Sequence, residues 1–348
     1  MKIPAFFDGH CDTVLKVVDK GTDFANGDDS AHVDFPRLRA AGVRAQVFAC
    51  FVLSERYPGA EVERAEVLLD ALDGMIGSTG GAFRLARTAA DVEAAFAGGP
   101  SAAVFALEGA DPLEGRAENL RRFFSRGVRD LIFAWKDNPF SGTAFGSDVS
   151  LSREGERLLG LAEDLGVMVD VSHLSDAAFD RVCEVSERPF IASHSNCRGL
   201  CPVARNLTDR MIRTLAERGG VMGINLSTSF LSPKSLAAWK AIKRRLEPER
   251  LTWRQAEQRV REEAPRVPRP PFDWIVRHIL HAIDVGGEDV VGLGGDLDGI
   301  VHTPQGIDGV EDYPRIPVAL REAGLSEGQV EKVCFRNFLR VFGEGLPG

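Results

Sequence analysis

The sequence predicts an α/β fold, a (β/α)8 barrel of the TIM type with a helical insertion after the seventh strand. Three observations carry that expectation. Short β-branched and apolar runs recur along the chain, each followed by a longer stretch whose apolar residues return every three or four positions. The runs number eight, the count that closes a barrel of parallel strands inside a ring of helices. At 348 residues and 44% hydrophobic composition, the chain has the length and the core material for one such barrel, read as a single domain over 1–348.

In order, the strand candidates are "AFFDGHCD" (5–12), "RAQVFACFV" (44–52), "AAVFALEG" (102–109), "RDLIFAW" (129–135), "VMVDVSH" (167–173), "PFIASHS" (189–195), "GVMGINLS" (220–227) and "DVVGLGGDLDG" (289–299). Between them lie amphipathic segments such as "AEVERAEVLLDALDGMIGS", "EGRAENLRRFFSRG", "REGERLLGLAEDLG" and "LSDAAFDRVCEVSE". Residues 231–272 break the rhythm with dense charge and a closing Pro cluster, and read as an inserted helical pair. Its basic patch, Lys240, Lys243, Arg244 and Arg245, alternates with Glu247, Glu249, Glu257 and Glu262, the pattern of a solvated helix face.

Bulk properties exclude several classes of function. A net charge of -9 without a sustained basic stripe removes the drive for phosphate-backbone binding, so no nucleic-acid partner is expected. No apolar run approaches the ~18 residues of a membrane span, and the start lacks the apolar stretch of a secretory signal. The six cysteines are dilute and follow no disulfide-scaffold rhythm, which suggests a reduced, cytoplasmic protein.

"FFDGHCDTV" crowds polar chemistry into the first strand. Alternate side chains share a strand face, so His10 and Asp12 project together as an imidazole and a carboxylate. Alone the pair is weak, because an ordinary helix cap explains Asp12 as well. Other strand ends repeat the pattern with Glu108, His173, His194, Asp296 and Asp298. The C-terminal ends of barrel strands are where catalytic residues collect. Of the seven histidines, His32, His278, His281 and His302 lie in helix-like or loop contexts that suit hydrogen-bonded structural roles. Three imidazoles with Asp12 and Glu108 suffice for two divalent ions, with Glu108 able to bridge them, and mixed nitrogen and oxygen donors suit Zn2+ best. Two ions about 3.5 to 4 Å apart acidify a shared water to a bridging hydroxide and polarise a carbonyl. Asp296 then serves as general base and acid. Asp298 is expected to orient the loop or an imidazole.

These motifs resemble the renal (membrane) dipeptidase family of binuclear zinc peptidases, within the amidohydrolase superfamily. The likeness runs from "DGHCDT" through "LEGADPLEGRAENLRRFFSRGVR", "DVSHLSD" and "SHSNCRGLCPVARNLTD" to "GLGGDLDGI" and "EKVCFRNFLRVF". It implies that His10 and Asp12 bind one zinc, that His173 and His194 bind the other, and that Glu108 bridges them. It also implies Asp296 as the catalytic acid and base, Arg205 as the anchor for the substrate's terminal carboxylate, and a homodimer. Asn206, beside Arg205, is assigned to substrate binding as well. One departure stands out: where family members carry a substrate-contacting His after the fourth strand, this chain reads "FAWKDNPF", with Trp135 at that place. Indole offers one N–H donor and no acceptor. The substrate carbonyl would then fall to Trp135, Lys136 or a metal. The leading expectation is hydrolysis of a dipeptide, including L-Xaa-D-Xaa forms. The alternatives are an N-acyl amino acid or other modified small amide as substrate, and a barrel that binds a ligand without turnover.

Overall fold

The apolar runs form nine parallel strands in a computed structural model that describes residues 4–249 and 251–348. Residues 1–3 and Arg250, the last within the anticipated insertion, lie outside the described residues. The strands are β1 (Phe6–Cys11), β2 (Val43–Phe51), β3 (Phe83–Leu85), β4 (Ser101–Glu108), β5 (Val128–Ile132), β6 (Met168–Asp170), β7 (Ile191–Ala192), β8 (Val221–Ile224) and β9 (Val291–Leu293). They pair in the order β2-β1-β9-β8-β7-β6-β5-β4-β3, and β2 also pairs with β4, so eight of them close a ring. Each of the eight anticipated runs coincides with one ring strand. β3 was not anticipated: it lies outside the ring against β4, and only Phe83 of its three side chains is buried.

Both faces of the ring strands are covered, which is why they read as continuous apolar runs rather than as alternating ones. Every residue of β1, β4 and β5 is buried. The shortest ring strands are β6, β7 and β9, with two or three residues each. Their chains leave the ladder early, and the polar motifs lie just beyond.

At β7, β8 and β9 the backbones approach so closely that side chains are excluded. A Cβ on Gly223 of β8 or on Gly294, next after β9, would overlap the carbonyl oxygen of Ser193. Glycine at both places lets the segment carrying Ser193 and His194 seat between its neighbours.

The chain after β8, the seventh ring strand, is helical: Thr228–Leu231, Pro233–Leu246 and Trp253–Glu263 precede the helix Asp273–Gly286 that leads to β9. Pro233 opens its helix, where its missing N–H costs nothing. Trp239, Ile242 and Leu246 pack with Ala264 and Val267 in a small apolar cluster of their own. Arg245 and Arg266 both pair with Glu263, as suits a solvated face of mixed charge. No helix is long and apolar enough to cross a membrane among the described residues.

Replacing Gly294 by alanine is expected to lower the unfolding free energy by about 1–3 kcal/mol in urea titrations, because the added methyl has no room. Gly160→Ala, inside the helix Arg153–Leu165 with nothing within 4 Å of the added methyl, should leave stability unchanged or raise it by up to about 1 kcal/mol.

Candidate metal centre at the barrel mouth

Strand ends bring the anticipated residues together. His10 belongs to β1, and Asp12, one residue past its end, takes the N-cap position of the helix Thr13–Lys20. Its side chain makes no capping bond, and its Oδ1 is buried without a hydrogen-bond partner. The helix-cap reading of Asp12 therefore fails at the side chain, which turns instead to His10, with Oδ2 3.5 Å from Nε2.

Glu108 closes β4, and its two oxygens face different partners. Oε2 lies 3.4 Å from His10 Nε2, whereas Oε1 lies 3.1 Å from His173 Nε2 and 3.8 Å from His194 Nε2. His173 and His194 follow β6 and β7, and their Nε2 atoms stand 2.9 Å apart. The His10 and His194 rings stack at 3.8 Å between centroids. Two sets of donor atoms lie within 4.8 Å of one another: His10, Glu108 and His194, and His10, Asp12 and Asp296. Both ring nitrogens of His10 and Nδ1 of His173 are buried without hydrogen-bond partners. Buried polar atoms are normally satisfied, and a divalent cation is what this donor set fits.

The electrostatics agree with a cation site. Burial opposes ionisation of Glu108, but His10 and His173 outweigh it and hold the carboxyl below its usual range. Burial likewise opposes protonation of His10, yet Glu108 and Asp12 raise it well above the usual imidazole value, so the carboxylates draw positive charge to this spot. His173 is pushed down to about 3 by burial, with Arg205 adding to the effect, which keeps its ring neutral and fit to ligate. Asp296 is pushed up to about 6, chiefly by burial, with Glu108 raising it further against the pull of His10.

Several side chains that the sequence did not single out hold these groups. Ser193 Oγ is 2.7 Å from His194 Nδ1, which leaves Nε2 for the centre. Asn225, just past β8, donates Nδ2 to Asp296 Oδ2 at 2.8 Å. Asp8 accepts from Gly295 N at 2.9 Å and from Tyr313 Oη at 2.6 Å, fixing the turn that carries Asp296. Asn225 and Ser193 were within reach of sequence reasoning, each as a polar residue near the end of a strand candidate. Tyr313, outside all eight runs, carried no such signal.

Arg205 is buried behind His194, donating Nη1 to Ser195 Oγ at 2.6 Å and Nη2 to the His194 carbonyl at 2.7 Å. Burial pushes it down to about 10, against the pull of Asp296, Asp170 and Glu108. Asn206 donates its amide to the carbonyls of Cys201 and Phe230 at 3.0 and 2.9 Å. Trp135 is half-buried beside the centre, 6.1 Å from the His173 ring, while Lys136 is exposed and paired with Glu55. Asp298 accepts from Thr13 Oγ1 at 2.8 Å and from His32 N at 2.7 Å, so it orients the loop and not an imidazole of the centre. His278 is hydrogen-bonded to Cys197 N and the Leu231 carbonyl, and His281 to Asp209, in structural roles.

With that geometry in place, likeness to known proteins decides the family: residues 1–345 match the membrane dipeptidase family, peptidase family M19. The chain belongs to that family. It is 31% identical over 292 residues to an uncharacterized protein in the pqqA 5′ region of Klebsiella pneumoniae, across 82% of this chain and 97% of that one. It is similar in structure to the dipeptidase AC, a metallo peptidase of family M19, with a TM-score of 0.84 and 28% identity over 100% of both chains. A Rhodobacter sphaeroides metallo peptidase liganded with a phosphinate mimic of the dipeptide L-Ala-D-Ala gives a TM-score of 0.83 at 27% identity, covering 99% of this chain and 100% of that one. The protein is a metallo-dipeptidase, and the reading as a binding barrel without turnover falls away.

Ser193→Ala frees the His194 ring to rotate and should cost about 10- to 100-fold in metal affinity, measured by dialysis against a competing chelator, with the circular dichroism of the fold unchanged.

Proposed function

We propose that this membrane dipeptidase relative is a binuclear zinc enzyme that cleaves dipeptides, L-Xaa-D-Xaa among them. His10 and Asp12 would hold one ion, His173 and His194 the other, and Glu108 both. The observation that carries this reading is the division of the Glu108 carboxylate, one oxygen toward His10 and the other toward His173 and His194. The phosphinate mimic of L-Ala-D-Ala on the Rhodobacter sphaeroides relative supports the substrate class. A bound pair of ions supplies Lewis acidity for the amide carbonyl and lowers the pKa of a water.

The protein's own groups do the rest. Asp296, with Oδ2 held by Asn225, takes the proton of the attacking water and delivers it to the leaving amine. Arg205 keeps guanidinium hydrogens beyond the two donated to Ser195 and His194, and these anchor the substrate's terminal carboxylate. Asn206 braces the turn that carries Arg205 and lines the substrate site. Trp135 bounds that site on the side of His173. Its bulk favours a second reading, an N-acyl amino acid or other modified amide, which the same assay panel resolves.

We further propose one barrel domain over 1–348 with 231–272 inserted in it, a homodimer on the strength of the family resemblance, and a cytoplasmic setting consistent with six unpaired cysteines.

Asp296→Asn should retain about two zinc per chain by elemental analysis and lose about 10²- to 10⁴-fold in kcat. Zinc lost together with activity would make Asp296 a ligand rather than the acid and base. Chelation should abolish turnover of L-Ala-D-Ala and zinc should restore it; turnover of N-acyl amino acids with none of any dipeptide would install the second reading.

A further inference from the structure

Three aromatic rings meet over the metal centre. Phe51 ends β2 in register with Glu108, and Glu108 is in turn in register with Ile132, which ends β5 three residues before Trp135. Phe51 and Trp135 therefore touch across the end of β4, with ring centroids 5.1 Å apart. Phe145, on the same loop as Trp135, packs against the Trp135 ring and the His173 ring, each at 5.4 Å. Despite those contacts Phe145 remains 44% exposed, and Val149 further along the loop is 55% exposed. Large apolar side chains left in water beside the His173 ring are what a ligand covers.

The position of Arg205 sets the direction. Around the ring the order is β1, β2, β4, β5, β6, β7, β8, β9, so β7 and β8 stand across the barrel from β2 and β4. Arg205 holds the carbonyl of His194 after β7, and its guanidinium lies 5.7 Å from the ring of Phe230 after β8. A dipeptide with its carboxylate on Arg205 and its amide at Glu108 and the imidazoles extends its amino-terminal residue toward the aromatic rings.

We propose that Phe51, Trp135 and Phe145 form a subsite for a large apolar or aromatic side chain on the amino-terminal residue, making Phe-Xaa and Leu-Xaa dipeptides better substrates than Ala-Xaa. This rests on the dipeptidase reading above and on Arg205 as the carboxylate anchor. The rings stack and tilt against an aromatic guest as they do against one another. The subsite sits where Trp135 stands in place of the expected imidazole, so bulk and apolarity replace a hydrogen-bonding contact.

The test is kcat/KM for Phe-D-Ala, Leu-D-Ala, Ala-D-Ala and Ala-D-Phe with zinc-loaded wild type, Phe145→Ala and Phe145→Leu. Wild type should favour Phe-D-Ala over Ala-D-Ala by about tenfold or more, the discrimination an apolar pocket supplies for a few carbon atoms. Phe145→Ala should cut that ratio severalfold, mainly through KM, and Phe145→Leu should restore most of it. The ratio of Ala-D-Phe to Ala-D-Ala should not move. Dipeptide turnover with a Phe-D-Ala preference that is absent, or unchanged by Phe145→Ala, overturns the subsite alone. No turnover of any dipeptide overturns the substrate reading beneath it, and the subsite with it.

Discussion

A single buried carboxylate organises the mouth of this barrel. Glu108 is almost fully shielded from water, where burial opposes its ionisation, and His10 and His173 hold its carboxyl below the usual range. Imidazoles from β1 and from just beyond β6 and β7 converge on it, His10 on one oxygen and His173 and His194 on the other. Those strands are brought to β4 from both directions, through β2 and β1 on one side and through β5 and β6 on the other. Closure of the ring is thus a condition of the chemistry and more than a matter of packing: an open sheet would hold His10 and His173 far apart.

Holding the groups there strains the backbone. His173, Asp296 and Asp298 all adopt left-handed conformations, with φ of 70°, 55° and 69°, each at a cost on the order of 1–3 kcal/mol for a residue with a side chain. Each is fixed by specific bonds. The His173 carbonyl accepts from Ala144 N at 2.7 Å and from Thr143 Oγ1 at 3.0 Å. Asp296 N donates to the His10 carbonyl at 3.1 Å, and Asp298 N to His32 Nδ1 at 3.0 Å. The turn after β9 is therefore tied to β1 and to the loop before β2, so Asp296 and His10 keep a fixed relation. That rigidity suits the proton exchange proposed for Asp296 beside the imidazole.

The ring strands were legible because burial on both faces writes them as unbroken apolar runs, and the candidate ligands because four of the runs end in a residue type that has no reason to follow it otherwise. Asp12 shows the limit of such reading: its position suits a helix cap, and only the side chain's direction assigns it to the centre. β3 was invisible because three residues with one buried side chain carry no period. Tyr313 supports the turn through Asp8, 305 positions away; proximity of that kind is written in the fold and not in the local pattern. Phe51 and Phe145 likewise look like ordinary apolar residues until β2 and β5 are placed on either side of β4.

Anomalous diffraction from crystals grown with zinc, recorded on both sides of the zinc absorption edge, tests the central claim most directly. Two peaks about 3.5 to 4 Å apart are expected, one beside His10 and Asp12, the other beside His173 and His194, with one Glu108 oxygen on each. A single peak, or a second one out of reach of Glu108, would contradict it.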